Sequence, residues 1–158
     1  MSVLAIYPSC FYKFDTMEKL PPVEKVFEAW TALVDGRVIL HDGYADVASS
    51  DGTKGYTVRF DGNRYSSDDN ATFWRGYAGY PVLAVLMLQG RLPYYPEEAS
   101  QWKGVNWKAI NTRHRNDYAA AVEEVARERG IDLEEAYRRA NAVMEALRNL
   151  PVEIKRKI

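Results

Sequence analysis

Cations and aromatic rings are concentrated in one stretch of the chain, residues 102–118, called the basic segment below. It carries a single acid, Asp117, against four fixed cations: Lys103, Lys108, Arg113 and Arg115. Ammonium and guanidinium groups hold phosphate or carboxylate through charge-assisted hydrogen bonds, and aromatic rings stack on nucleobases. This composition indicates a site for an anionic small molecule or a nucleic acid.

The candidate ligand-binding residues come from the basic segment and from one glycine-containing loop before it. In the loop, residues 74–80, two glycines would let the backbone approach a ligand closely, and Arg75 adds a cation beside the most apolar part of the chain. The loop matches no phosphate-binding glycine pattern, and a hinge or close packing explains its glycines equally well. The predicted ligand-binding residues are Arg75, Lys103, Trp107, Lys108, Arg113, His114 and Arg115.

An ordinary helix surface explains the basic segment without any ligand. If the segment is helical, four residues recur on one face that would pack against the core: Trp107, Ile110, His114 and Tyr118. Lys108 and Arg115 would then belong to a solvated face. The two interpretations differ in whether the cations converge on one cleft or point apart into solvent.

Nucleophilic and metal chemistry have little support in the sequence. Cys10 is the only cysteine, and as a nucleophile it would need His41 or His114 nearby in space. One cysteine and two histidines at these spacings do not indicate a zinc site. Asp68, Asp69 and Asn70 could join Asp61 around a hard cation, but helix capping explains these residues more simply. We therefore predict no metal and no cofactor, and catalytic residues stay unassigned.

A DNA-binding helix pair is a further interpretation of the C-terminal third. Ala126, Gly130 and Ile131 have the spacing of a small residue, a turn glycine and an apolar residue in a helix-turn-helix motif. However, Glu134 and Glu135 near the start of the second helix would repel DNA phosphates. Plain helix packing is the better explanation.

Composition and charge indicate an ordinary globular protein of 158 residues, 47% hydrophobic and 27% charged, with a net charge of -1. Residues 1–98 sum to -4 and residues 99–158 to +3, so a polyanion would be expected at the C-terminal half. One cysteine and no N-terminal signal pattern predict a cytoplasmic protein without membrane association. A homo-oligomer is compatible with the sequence.

The most apolar part of the chain is Pro81–Leu88, between Gly79 and Gly90. Leu, Ala and Met dominate it, so we predict a helix that begins near Pro81 and ends near Gly90. Such a helix is only about 12 Å long, whereas roughly 20 apolar residues are needed to cross a bilayer. We therefore predict a central core helix covered on all sides, with its leucines buried: Leu83, Leu86 and Leu88.

Recurring turn signals predict an antiparallel sheet over residues 31–66. Asp35-Gly36 is the sharpest, because Asp-Gly between β-prone residues is typical of a two-residue hairpin. We expect strands on both sides of it, at 31–34 and 37–40. Later Asp-Gly pairs separate further β-prone runs at 44–48, 56–60 and 63–66. An additional strand is expected at Ser2–Tyr7.

Two helices are predicted over residues 117–149, joined at Gly130. Asp132 and Glu135 have the spacing of a capping box, and apolar residues follow at intervals of three and four. A shorter helix is expected at 71–74, with capping residues just before it.

The predicted fold is α+β: an antiparallel β-meander packed on a central apolar helix, with a C-terminal αα-hairpin. We expect one domain over residues 1–158, β-rich to about residue 66 and helical from about residue 67. Because the strong signals describe folding and none describes bond-making chemistry, the predicted function is that of a soluble binding or interaction protein. The alternative is a small enzyme acting on a phosphorylated or other anionic ligand at the basic segment.

Overall fold

The computed structural model describes residues 19–158, so the strand expected at Ser2–Tyr7 and the thiol of Cys10 lie outside the described residues. The described chain is a mixture of helices and one five-stranded sheet, which confirms the α+β class. The first half contains helix α1 (Lys25–Val34) and strands β1 (Val38–Leu40), β2 (Tyr44–Ala48), β3 (Gly55–Asp61) and β4 (Arg64–Ser67). A π-helical segment (Ala71–Arg75) follows, and then α2 (Tyr80–Leu88), α3 (Pro96–Ser100), α4 (Trp107–Arg113), α5 (Tyr118–Arg129), α6 (Leu133–Arg148) and β5 (Glu153–Ile154).

The sheet has the strand order β1-β2-β3-β4-β5, with the first four strands antiparallel to their neighbours. β5 pairs in parallel with β4, where Tyr65 lies opposite Ile154. Side chains alternate as expected for a sheet with one covered face: Ala45 and Val47 are buried, while Asp46 between them is exposed. The buried face packs against α2.

The hairpin predicted at Asp35-Gly36 is wrong, because residues 31–34 form the last turn of α1. Gly36 has a φ of +69°, and its N–H donates to the carbonyl of Leu33, which closes the helix. A positive φ serves a helix C-terminus as well as a hairpin turn, so Asp-Gly alone does not distinguish them. Burial of the α1 side chains decides for the helix. The part expected to be β-rich therefore begins with a helix, and β5 lies in the part expected to be helical.

The central helix α2 forms as predicted, with Pro81 in its first turn and Gly90, at a φ of +78°, just past its end. Leu83 and Leu86 are 0% exposed, as a core helix requires. The predicted burial of Leu88 is wrong, because this side chain is 45% exposed. It belongs to the last turn of the helix, which is open to solvent. Within residues 19–158, no helix combines the length and apolarity needed to cross a bilayer.

The basic segment does not form the single helix considered from the sequence. Helix α4 ends at Arg113, and the next turn contains Arg115 and Asn116 at φ values of 55° and 64°. Tyr118 then begins α5, so it does not continue the face of α4. This left-handed turn changes the chain direction and brings Tyr118 towards α1.

Candidate functional site

The structure contains a cavity of about 240 Å³. It is bounded mainly by α1, the β2–β3 loop and α4. The start of the π-helical segment, the first residue of α2 and the start of α5 complete its wall. Its wall combines charged and polar side chains with aromatic rings. The cationic side chains in the wall are Lys25, Arg37, Lys54 and Lys108, and the acidic ones are Glu28 and Asp69. Four aromatic rings complete it: Tyr56, Tyr80, Trp107 and Tyr118.

A buried ion pair on α1 forms one wall of the cavity. Lys25 Nζ lies 3.1 Å from Glu28 Oε2, and Asn111 Nδ2 of α4 donates to the same oxygen at 3.3 Å. Lys25 Nζ also lies 4.1 Å from the centre of the Tyr118 ring, a favourable cation–π distance. Each of the two charges is thus stabilised by the other and by these neighbours, which replace the water lost on burial.

Burial perturbs both members of this pair. Burial raises the pKa of Glu28, because Lys25 and Asn111 offset the lost hydration of the carboxylate only in part. Burial opposes the charge of Lys25, but the Glu28 carboxylate and the Tyr118 hydroxyl outweigh it and raise the pKa of Lys25. Lys25 therefore keeps its proton at neutral pH, and Glu28 takes one up more readily than an exposed glutamate.

Asp69 forms a second buried carboxylate in the wall, 5% exposed. Its Oδ2 accepts a hydrogen bond from the Thr72 backbone N–H at 3.1 Å, whereas its Oδ1 has no hydrogen-bond partner among residues 19–158. A side chain at position 79 would overlap Asp69 Oδ2, so only glycine fits there without a shift. Thr72 Oγ1 accepts from the Gly79 N–H at 2.9 Å and holds the two segments together. Asp69 is therefore fixed in place with one oxygen unused.

The rim of the cavity is built by the β2–β3 loop and the first turn of α4. Asp51 accepts hydrogen bonds from the Thr53 N–H and from the hydroxyls of Thr53 and Ser49, which hold the pKa of its carboxyl well below the usual range. Lys108 Nζ lies 3.3 Å from Asp51 Oδ2, and the Lys108 N–H donates to Ser50 Oγ at 3.0 Å. These contacts attach α4 to the loop.

Two further lysine and arginine side chains differ in how they are paired. The Arg37 guanidinium donates to the Ala48 carbonyl and lies 3.6 Å from Asp35 Oδ2. Lys54 is exposed and forms no ion pair with the residues that the structure describes. It is therefore available at the rim for a group that enters the cavity.

Two tyrosines, Tyr56 and Tyr80, line the same cavity. Tyr56 and Tyr80 meet edge to face, with ring centres 6.3 Å apart. Burial raises the pKa of Tyr80 well above its usual range, and burial followed by the nearby Asp69 carboxylate raises the pKa of Tyr56. Both hydroxyls therefore stay protonated at neutral pH and can donate hydrogen bonds.

Of the residues predicted from the sequence, Trp107 and Lys108 line the cavity. Trp107 is 3% exposed, and its Nε1–H donates to Thr31 Oγ1 of α1 at 2.8 Å. Its ring stacks on Trp102 with centres 5.9 Å and planes 30° apart, and because the side chain is buried it offers no open face to a nucleobase. Its role is to dock α4 against α1 and so to shape the cavity.

The other five predicted residues do not line the cavity. Arg113 and His114 both pair with Glu124 of α5, the histidine Nε2 at 2.7 Å. The Lys103 carbonyl accepts from Arg129 at 2.8 Å. Two remain at other places: Arg75 ends the π-helical segment, and Arg115 lies in the left-handed turn after α4. The cations of the basic segment thus point to different surroundings.

Several residues of the cavity wall were not identified from the sequence. Lys25 and Glu28 lie on the same face of α1 as Ala29 and Ala32, so two charges in an apolar stripe would have indicated a special pair had α1 been predicted as a helix. From the sequence, Asp69 was weighed as a ligand of a hard cation and a helix-capping role was preferred, which accounts for its Oδ2 alone. Nothing in the local sequence indicates that its Oδ1 lacks a partner, because that depends on which segments pack around it.

Residues 18–153 match the family described as uncharacterised conserved protein UCP014422, and the matched range contains every residue of the cavity wall. No curated protein and no solved structure gives a significant match to the chain. Because the family match covers most of the sequence, the chain belongs to the uncharacterised conserved protein UCP014422 family.

Proposed function

We propose that this protein binds a small ligand with a carboxylate or phosphate group in the cavity between α1, the β2–β3 loop and α4. The volume of about 240 Å³ lies just below the range of about 300–1,000 Å³ typical of small-molecule pockets, which suits a small metabolite. Four of the six charged side chains in the wall are cations, and the rings and hydroxyls around them provide the mixed lining typical of small-molecule sites.

The observation that carries the proposal is the pair of lysines at the rim, Lys54 and Lys108. Lys54 has no acidic partner among the described residues, and the partner of Lys108, Asp51, already accepts three hydrogen bonds from its own loop. An entering anion would therefore meet one unpaired ammonium and a second that it can share. Charge-assisted hydrogen bonds of this kind are about twice as strong as neutral ones.

The geometry supports a small ligand better than a nucleic acid. The Trp107 ring is covered, and Arg113 is paired with Glu124, so neither side chain offers a single strand the exposed ring or the unpaired cation that such binding uses. Binding at the basic segment, like the cytoplasmic location expected from composition, stays a prediction.

Calorimetric titration with a panel of small carboxylates and phosphates tests the proposal. We expect saturable binding that Lys54→Gln weakens by about tenfold or more, since a hydrogen bond to a charged group contributes about 1.5–3 kcal/mol. Lys103→Gln is the matched control, because Lys103 is an exposed lysine outside the cavity and should leave affinity unchanged. Absence of saturable binding, or equal losses in both variants, would contradict the proposal.

A second candidate is an enzyme that acts on such a ligand, and Glu28 favours it. A buried carboxyl with a raised pKa, next to a lysine and facing a cavity, is the arrangement that general acid–base catalysis uses. Incubating each bound compound with the protein and following it by NMR distinguishes the two candidates. An enzyme would convert the compound and lose turnover in Glu28→Gln, whereas a binding protein would return the compound unchanged.

A further inference from the structure

We propose that the ligand also carries an ammonium group, which Asp69 holds, so that the cavity selects zwitterionic amino-carboxylates or amino-phosphates over acids without nitrogen. This inference rests on the proposed function and narrows its ligand to one chemical class. It is carried by the buried oxygen of Asp69 that has no partner within residues 19–158.

The two oxygens of Asp69 have different roles in the structure. Oδ2 accepts from the Thr72 N–H and lies against Gly79, which accounts for the position of the side chain. Oδ1 is buried without a hydrogen bond from any described residue, although buried polar atoms in folded proteins nearly always have a partner. Because Asp69 lines the cavity, a donor on the ligand is the partner that would satisfy Oδ1.

No cation already present in the wall takes this place. The Lys25 ammonium is committed to Glu28 at 3.1 Å and to the face of Tyr118. Lys108 pairs with Asp51, and Arg37 donates to the Ala48 carbonyl. Asp69 is thus the acid of the wall that lacks a cationic partner among the described residues, as Lys54 is the cation that lacks an acidic one.

The surroundings of Asp69 suit an ammonium group. Tyr56 and Tyr80 line the cavity with it, and aromatic rings attract cations through their negative faces. An ammonium has three donors, which can be shared between a carboxylate oxygen and the oxygens of nearby hydroxyls. Asp69 lies before the π-helical segment, whereas Lys54 and Lys108 come from the loop and α4. The two charge signs therefore come from different parts of the wall, as a zwitterion requires.

Paired compounds that differ only in the amino group test the inference. The probes are the protein L-amino acids against the matching 2-hydroxy acids, and phosphoethanolamine against ethyl phosphate, all titrated into the unmodified protein. We expect at least one amino compound to bind ten or more times more tightly than its partner. Comparing the affinities of the carboxylate and phosphate probes shows which acidic group the rim lysines bind more tightly.

Two neighbouring variants assign the effect to Asp69. Asp69→Asn keeps the shape of the side chain but removes its charge, and we expect it to abolish the preference for the amino compound. Asp68→Asn is the matched control, because Asp68 is exposed, lies outside the cavity and accepts a hydrogen bond from the Thr57 N–H at 2.9 Å. It should keep the preference.

The outcomes separate the two proposals. Equal binding of amino and nitrogen-free acids, or a preference that Asp69→Asn retains, overturns the ammonium site and leaves the anion-binding function standing. No binding of any carboxylate or phosphate overturns both. Should Asp69→Asn fail to fold, the comparison between paired compounds on the unmodified protein still decides the inference.

Discussion

Helix α2 and the cavity are neighbours that share Tyr80, but they bury opposite kinds of side chain. From Val82 to Leu86 the helix contributes only apolar groups, all 0% exposed, to a core that extends to α1 and the sheet. The adjoining cavity wall buries Lys25, Glu28 and Asp69. Apolar burial drives folding by itself, whereas burying charges costs free energy unless each is paired. The contrast assigns stability to α2 and makes the cavity the proposed site of function.

The largest expected effect comes from a variant that breaks the buried ion pair of the cavity wall. Lys25→Met would leave Glu28 buried without its cation, and removing one member of a buried pair costs about 3–5 kcal/mol of unfolding free energy. Urea denaturation at neutral pH measures the loss. Lys54→Met is the matched control, since it removes an exposed lysine of the same cavity and should change stability little.

The stability cost of Lys25→Met should vary with pH in a defined direction. Because the pKa of Glu28 is raised by burial, the folded protein binds this proton more tightly than the unfolded chain does. Its contribution to stability is therefore largest below the ordinary carboxyl pKa and falls as pH rises through the raised value. Loss of Lys25 should raise that pKa further, so the cost of Lys25→Met should be smaller at pH 5 than at pH 8. A cost that does not vary with pH would contradict the assignment of Glu28.

The apolar side of the comparison is tested by three leucines of one helix. Leu83→Ala and Leu86→Ala should each cost about 2–5 kcal/mol, because both side chains are fully buried and their removal leaves a cavity. Leu88→Ala is the control on the exposed last turn and should cost about 0.5 kcal/mol or less, the usual range of surface substitutions. Chemical denaturation compares the three, and equal losses would show that α2 is not buried as described.

The smallest expected stability effect concerns the junction between the two regions. Gly79→Ala should cost about 1–3 kcal/mol, since the new methyl group overlaps Asp69 Oδ2 and overpacking typically costs this much. In an Asp69→Ala background the same change should cost less, because the overlapping oxygen is gone. A double-mutant cycle of unfolding free energies gives the coupling, and additivity would mean that Asp69 and Gly79 do not constrain each other.

The sequence predicted best where one local pattern decided the structure. The unbroken apolar run of Pro81–Leu88 and the α+β class are confirmed, because continuous apolarity and residue preferences act over short distances. The hairpin at Asp35-Gly36 failed because the same dipeptide suits a helix end, and only the tertiary burial of α1 distinguishes the two. The exposure of Leu88 likewise depends on which neighbours cover the last turn of α2.

The cavity was harder to predict because its wall is assembled from distant segments. Trp107 and Lys108 were selected for the charge and rings of the basic segment, yet their neighbours in space, such as Lys25 and Asp69, lie far away in sequence. Arg113 was selected for its charge, but its guanidinium pairs with Glu124 of the next helix, a contact that the local sequence does not indicate. Ion pairs between elements can be identified only once the elements are packed.

The central claim, that the cavity and not the basic segment is the binding site, is tested most directly by an NMR titration. The probe is the tightest-binding compound of the carboxylate and phosphate panel, added to ¹⁵N-labelled protein. We predict saturable shifts of the Trp107 indole and Asn111 side-chain amide signals and of the backbone amides around Lys54, with little change at Arg113 and Arg115. Shifts confined to Lys103, Arg113 and Arg115, with the signals of the cavity wall unmoved, would contradict it.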